Sequence, residues 1–72
     1  MNLRNWLIDI RKEKGYPQKY VAEMIGVSPP SYCNIERGKT FPAVSTAKKI
    51  GAVLDFDWTR FYDEVGEGEH NA

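Results

Sequence analysis

The stretch GVSPPSYCNIERGKT, residues 26–40, gathers most of the side chains in this chain that are equipped for recognition. Asn34 offers a carboxamide with donor and acceptor side by side, Arg37 and Lys39 offer cations, and Ser28, Ser31 and Thr40 offer hydroxyls. Pro29 and Pro30 offer apolar rings and no backbone N–H. None of this is bond-breaking chemistry: no nucleophile stands with a base, no carboxylates pair as an acid–base site, and no phosphate loop occurs. An enzyme is therefore not expected. Cys33 is the single cysteine and His70 the single histidine, so neither a disulfide within the chain nor a metal-ligand spacing exists, and no cofactor is expected.

Positioning these side chains requires helices. Leu3, Trp6, Leu7 and Ile10 follow helical spacing behind Asn2 as N-cap, which predicts a first helix over about 2–14, closed by Gly15. Val21, Ala22 and Ile25 mark the inner face of a second helix over 18–25, followed by a turn at Gly26. Ser28 is then a good N-cap, and the two prolines fall at the first helical positions, where a missing N–H has no helical partner to lose. They start a third helix rather than break one. Tyr32 and Ile35 point inward, and Gly38 closes it. A fourth helix spans 43–54, with Val44, Ala47, Ile50 and Leu54 on its apolar face. Gly51 inside it costs about 1 kcal/mol against alanine, which suggests close packing there. Asp57 caps a short fifth helix over 58–62.

The chain has 72 residues, 42% of them hydrophobic, enough for one small all-α domain with a stability on the order of 5 kcal/mol. Residues 1–65 are expected to form that domain and residues 66–72 a flexible acidic tail. No apolar stretch reaches the length of a membrane span. The lone cysteine suits a reduced intracellular setting. Formal net charge is zero, yet residues 1–54 carry nine Lys or Arg against four acids. The acids collect afterwards, at Asp55, Asp57, Asp63, Glu64, Glu67 and Glu69. This asymmetry suggests a basic working face, with a solvated surface and a solubilising tail as the plain alternative.

Helix, glycine turn, helix, with the small Ala22 four residues before Gly26, is the arrangement that lets two helices approach at a steep angle and places the second in a DNA major groove. At these residues the sequence resembles the phage repressor and Cro-type (XRE-like) helix-turn-helix family. The matching positions are Lys14, Gly15, Gln18, Val21, Ala22, Ile25, Gly26, Val27, Ser28, Ile35, Glu36, Gly38, Lys39 and Pro42. They sit in register within KGYPQKYVAEMIGVSPPSYCNIERGKTFPAVSTAKKIGAVLDFD, and the resemblance covers about residues 2–62. It implies a five-helix, lambda-repressor-like DNA-binding domain, a bacterial or phage-encoded cytoplasmic regulator, most simply a repressor, acting as a homodimer on double-stranded DNA.

Roles follow from the same resemblance. Gln18 corresponds to a phosphate-contacting residue that also braces the recognition helix, with Lys19 beside it. Arg11 and Glu36 fall where the family forms a partly buried structural ion pair. Arg37, Lys39 and Thr40 are phosphate candidates. Ser28, Pro29, Pro30, Ser31, Cys33 and Asn34 form the face toward the bases. Here the sequence departs from the family's habit: prolines cannot hydrogen-bond a base edge, although their rings can press on a thymine methyl. Hydrogen-bonded reading then falls to Asn34, with Ser31 for a base or a phosphate, and more of the specificity to DNA shape. Pro17 is a second departure, standing where the family has a Ser or Thr cap, which weakens that helix start by about 1 kcal/mol. Trp58, Phe61 and Tyr62 form an aromatic stripe that roofs the core and supplies dimer candidates. The rival reading is a protein-interaction module or antitoxin built on the same fold.

Overall fold

The computed structural model describes residues 3–63, all of them in helices, turns or loops. Four helices follow in order: α1 (Asn5–Lys14), α2 (Gln18–Ile25), α3 (Pro29–Glu36) and α4 (Val44–Leu54). A short fifth helical segment occupies residues 60–63. The expected Asn2 cap, the 66–72 tail and His70 lie outside the described residues.

The helix ends follow local chemistry. Gly15 and Gly26 adopt φ of 78° and 79°, and their N–H groups return to the last carbonyls of α1 and α2. Only glycine enters this left-handed region without a side-chain clash. Gly38 does the same past the end of α3. Its N–H meets Ile35 O at 3.2 Å and the Lys39 N–H meets Asn34 O at 3.0 Å, a Schellman closure. Pro17 precedes α2 with no side-chain cap. Asp57 Oδ1 accepts from the Thr59 N–H at 3.0 Å and opens the turn into the last segment.

Leu7, Val21, Ala22, Tyr32, Ala47, Ile50, Leu54 and Phe61 have no exposed surface, and Ile25 and Ile35 almost none. Each helix contributes to this one core, which fixes the angle at which α3 stands against α2. Three expectations need correction. The first helix begins at Asn5, three residues later than its spacing predicts: the Arg4 backbone lies outside the helical region, at φ −81° and ψ 75°, and its N–H meets Glu36 O at 2.8 Å. Leu3 accordingly falls outside the helix and is 50% exposed. Val44 is 46% exposed, since it occupies the first helical position of α4, before the helix has turned onto the core.

Gly51 is packed as its placement suggests. A Cβ there would lie 2.7 Å from Phe56 O and 3.1 Å from Trp58 Cβ, so the chain after α4 folds back directly onto the glycine. That return delivers Phe56 and Phe61 to Trp6, with ring centroids 5.3 and 5.1 Å away in edge-to-face contacts.

A candidate nucleic-acid interface

Helix α3 has a tethered back and an exposed front. At its back, Tyr32, Ile35 and Glu36 are buried. The Glu36 carboxylate sits between three elements. Arg11 of α1 donates to it from Nε and, at 3.2 Å, from Nη2. Gln18 of α2 donates from Nε2 at 2.8 Å. Arg11 also reaches Tyr16 O at 2.8 Å. Burial alone would raise the Glu36 pKa. The hydrogen bonds from Arg11 and Gln18 outweigh it and hold the carboxyl below its usual range, while the buried Tyr32 hydroxyl has no hydrogen-bond partner among the described residues. Burial, with this carboxylate beside it, pushes the Tyr32 phenol up and keeps it neutral. The hydrogen bond to Glu36 raises Arg11 against the opposing effect of its own burial. A charge pair of this kind fixes placement more than it adds stability.

A residue that sequence reasoning passed over holds the same C-terminal end of α3 from another side. Arg4 is 93% buried. Its Nη1 donates to Ile35 O and, at 2.8 Å, to Thr40 O, while its guanidinium lies over the rings of Phe41 and Phe61 at 5.4 and 5.6 Å. A cation at the C-terminal carbonyls of a helix meets the negative end of its dipole. No local pattern announces this, because the partners lie 31 and 36 residues away.

At the front, Ser28, Pro29, Pro30, Ser31, Arg37, Lys39 and Thr40 are exposed, as is Lys19 on α2. Asn34 and Cys33 are half-buried. Ser28 caps α3, accepting from the Ser31 N–H at 3.3 Å, with the prolines at the first two helical positions. Asn34 lines a groove with Ser31, Thr40, Phe41, Pro42 and Thr46. Among the described residues, Lys19, Arg37 and Lys39 have no acidic partner, whereas Lys14 reaches Asp55 at 3.8 Å and Lys48 lies 5.3 Å from the Trp58 ring centre. Of the cations without an acidic partner, Arg37 and Lys39 follow α3 and Lys19 lies beside Pro29 on α2, while Lys12 and Lys49 lie on α1 and α4. Gln18 is half-buried, and its amide donates to Glu36 at the back of α3.

The aromatic stripe divides. Phe61 has no exposed surface, so as a dimer candidate it is corrected to a core residue: it has no area left to offer a partner. Tyr62 is 37% exposed and Trp58 half-buried, their rings 5.8 Å apart, with the exposed Phe41 ring 5.2 Å from Tyr62. Among the described residues no group of His, Cys, Asp and Glu is placed to hold a metal, and no helix is long and apolar enough to cross a membrane.

The helix-turn-helix (HTH_3) family model matches residues 7–61, from within α1 through α4 and most of the return segment. The chain belongs to this helix-turn-helix family. An uncharacterized HTH-type transcriptional regulator of Bacillus subtilis, YqaF, is 42% identical over 97% of this chain and 93% of its own length. The HTH-type regulator SinR of the same organism is 39% identical over 85% of this chain and 56% of its own length. Among solved structures, a SinR protein/SinI protein complex superposes with a TM-score of 0.74 at 32% identity, covering 93% of this chain and 66% of that one. A Vibrio cholerae HTH_3 family transcriptional regulator gives 0.68 at 31% identity, over 86% of this chain and 35% of its own. Membership of the helix-turn-helix family accounts for the closed turns at Gly26 and Gly38 and for the all-helical fold.

Proposed function

We propose that this chain is a sequence-specific DNA-binding transcription regulator, acting as a repressor that occludes a promoter, with α3 in the major groove. The observation that carries this reading is the two-sidedness of α3: its back is fixed by Glu36 and Tyr32, while its exposed front is flanked by the unpaired cations Lys19, Arg37 and Lys39. Those three, with Thr40 and the free part of the Gln18 amide, contact phosphates, which set register without reading sequence. Asn34 reads an adenine edge, and Ser28, Ser31, Cys33 and the proline pair face the bases. Residues 1–65 act as one domain, paired with a second copy through Trp58 and Tyr62, so that a two-fold operator matches a two-fold protein. The role calls for no metal, cofactor or membrane and is exercised in the cytoplasm as a binder, not an enzyme.

A second reading is favoured by one observation: the SinR structure that this fold matches is a complex with the SinI protein. A protein partner on the exposed aromatic face formed by Phe41 and Tyr62 would compete with pairing through Tyr62 and border the groove that holds Asn34. The test of the main reading is a salt titration of binding to duplex DNA by fluorescence anisotropy. With roughly four phosphate contacts per subunit, affinity falls about a thousandfold or more between 50 and 200 mM salt. Tight binding indifferent to salt would overturn it.

A further inference from the structure

Residues 37–43 join α3 to α4 without forming a helix, and they carry Arg37, Lys39 and Thr40. Gly38, at φ 76°, turns the chain off the end of α3. The N–H groups of residues 37–40 all return to α3: Arg37 to Cys33 O at 2.9 Å, Gly38 to Ile35 O at 3.2 Å, and Lys39 and Thr40 to Asn34 O at 3.0 and 3.4 Å. These bonds occupy the backbone donors of the turn. A phosphate there is met by the Lys39 ammonium and the Thr40 hydroxyl, whose placement depends on how firmly the turn is held. The outermost bond, at 3.4 Å, is long for N–H···O. Arg4 supplies a stronger one. Its Nη1 donates to Ile35 O, before Gly38, and at 2.8 Å to Thr40 O, after it. One guanidinium nitrogen thus staples the two sides of the turn from within, with the rings of Phe41 and Phe61 against the charge. Burying a guanidinium costs free energy that an apolar side chain of similar size would not. What the charge contributes is a donor to these two carbonyls.

We infer that Arg4 is a positioning residue for DNA binding: it touches no DNA itself, and its staple across the Gly38 turn holds Lys39 and Thr40 where they meet phosphates. The inference rests on the DNA-binding reading above and adds a buried residue that acts through the loop. Without the staple the loop hangs on the Asn34 O bonds alone, and fixing it on DNA then takes up free energy that the phosphate contact would otherwise contribute. The front of α3 keeps its own clamp at Glu36, so base preference survives while phosphate contact is lost.

The experiment measures binding of the intact chain to a duplex enriched from random sequence, by anisotropy at several salt concentrations between 50 and 200 mM. It compares Lys39→Ala, Arg4→Met, and the two combined. Lys39→Ala alone weakens binding about fivefold per subunit near 0.15 M salt and lowers the slope of log affinity against log salt by about 0.9 per subunit, the signature of one lost phosphate contact. Arg4→Met lowers the slope by at least as much and leaves the ranking of duplexes unchanged. In its background Lys39→Ala changes affinity by no more than about twofold, because the contact is already gone. Arg4→Lys, which keeps a donor, recovers part of the slope, and it carries the test if melting by circular dichroism shows Arg4→Met unfolded. A purely structural Arg4 would lower the folded fraction without changing the slope. An unchanged slope in the Arg4 variants, or an equal loss from Lys39→Ala in both backgrounds, overturns the inference and leaves DNA recognition standing. A natural chain that enriches no sequence and binds without salt dependence overturns both.

Discussion

The Gln18 amide nitrogen lies 2.8 Å from Glu36 Oε1, the same carboxylate oxygen that takes a hydrogen bond from Arg11 Nη2. One buried carboxylate therefore ties α1, α2 and α3 together directly behind the exposed recognition face. Removing it takes the carboxylate acceptor from Arg11 Nε and Nη2 and from the Gln18 amide, leaving Arg11 only its bond to Tyr16 O. Glu36→Ala is expected to destabilise the fold by about 3 kcal/mol. Against a total on the order of 5 kcal/mol, that leaves a marginal protein. Urea unfolding followed by circular dichroism measures it, and an unchanged midpoint would show that the cluster does not hold the helices.

The same carboxylate sets an acid limit. Its folded pKa is lowered: burial opposes ionisation, but the hydrogen bonds from Arg11 and Gln18 favour it more. The folded chain thus holds this proton less tightly than the unfolded chain. The stability it contributes is present above the ordinary carboxylate value, near 4.3, and is lost as pH falls from there through the lower folded value. Asp57, lowered by its hydrogen bonds to Thr59, acts in the same window but is fully exposed. Glu36→Gln should flatten the fall in urea midpoint between pH 5 and 3, and Asp57→Asn should leave most of it. The reverse ranking would assign the acid limit elsewhere.

Arg4 supplies a second tether, at the same C-terminal end of α3. Arg4→Ala strips the guanidinium from Ile35 O and Thr40 O and should cost about 2 kcal/mol, with Arg4→Lys recovering only part of it because an ammonium lacks the planar fork. Hydrogen exchange should show the Gly38 and Lys39 amides, which close α3, losing protection before those of α4. Equal protection in both variants would make Arg4 a passenger.

Gly51→Ala sets two effects against each other. Helix propensity gains about 1 kcal/mol, but the new methyl would sit 2.7 Å from a backbone oxygen that cannot swing away. Overpacking of this kind costs about 1–3 kcal/mol, so the net effect is destabilising. A raised melting temperature would show that the return segment at Phe56 yields freely.

Local chemistry made much of this legible. Ser28 before two prolines, and glycines at 26 and 38, read directly as helix starts and stops, because caps and left-handed positions are properties of a few adjacent residues. The pairing of Arg11 with Glu36 came from a family resemblance, not from spacing. What stayed hidden was tertiary. Arg4 is buried by partners 31 and 36 residues away in the chain, and its backbone stands just outside α1. Phe61 and Tyr62 are neighbours in one aromatic stripe, yet one is fully buried and the other exposed, a division set by where the chain returns onto Gly51 and Trp6. Periodicity likewise assigned Val44 to the core, although a helix's first residue precedes its contact with the bundle.

The central claim is that the exposed front of α3 reads a DNA sequence. Selection of bound duplexes from random DNA at about 0.15 M salt tests it most directly. The expected result is a two-fold symmetric motif with half-sites about 10 base pairs apart, lost when Asn34 and the Lys39 cation are both replaced by alanine. Retained duplexes with no enriched sequence would contradict it.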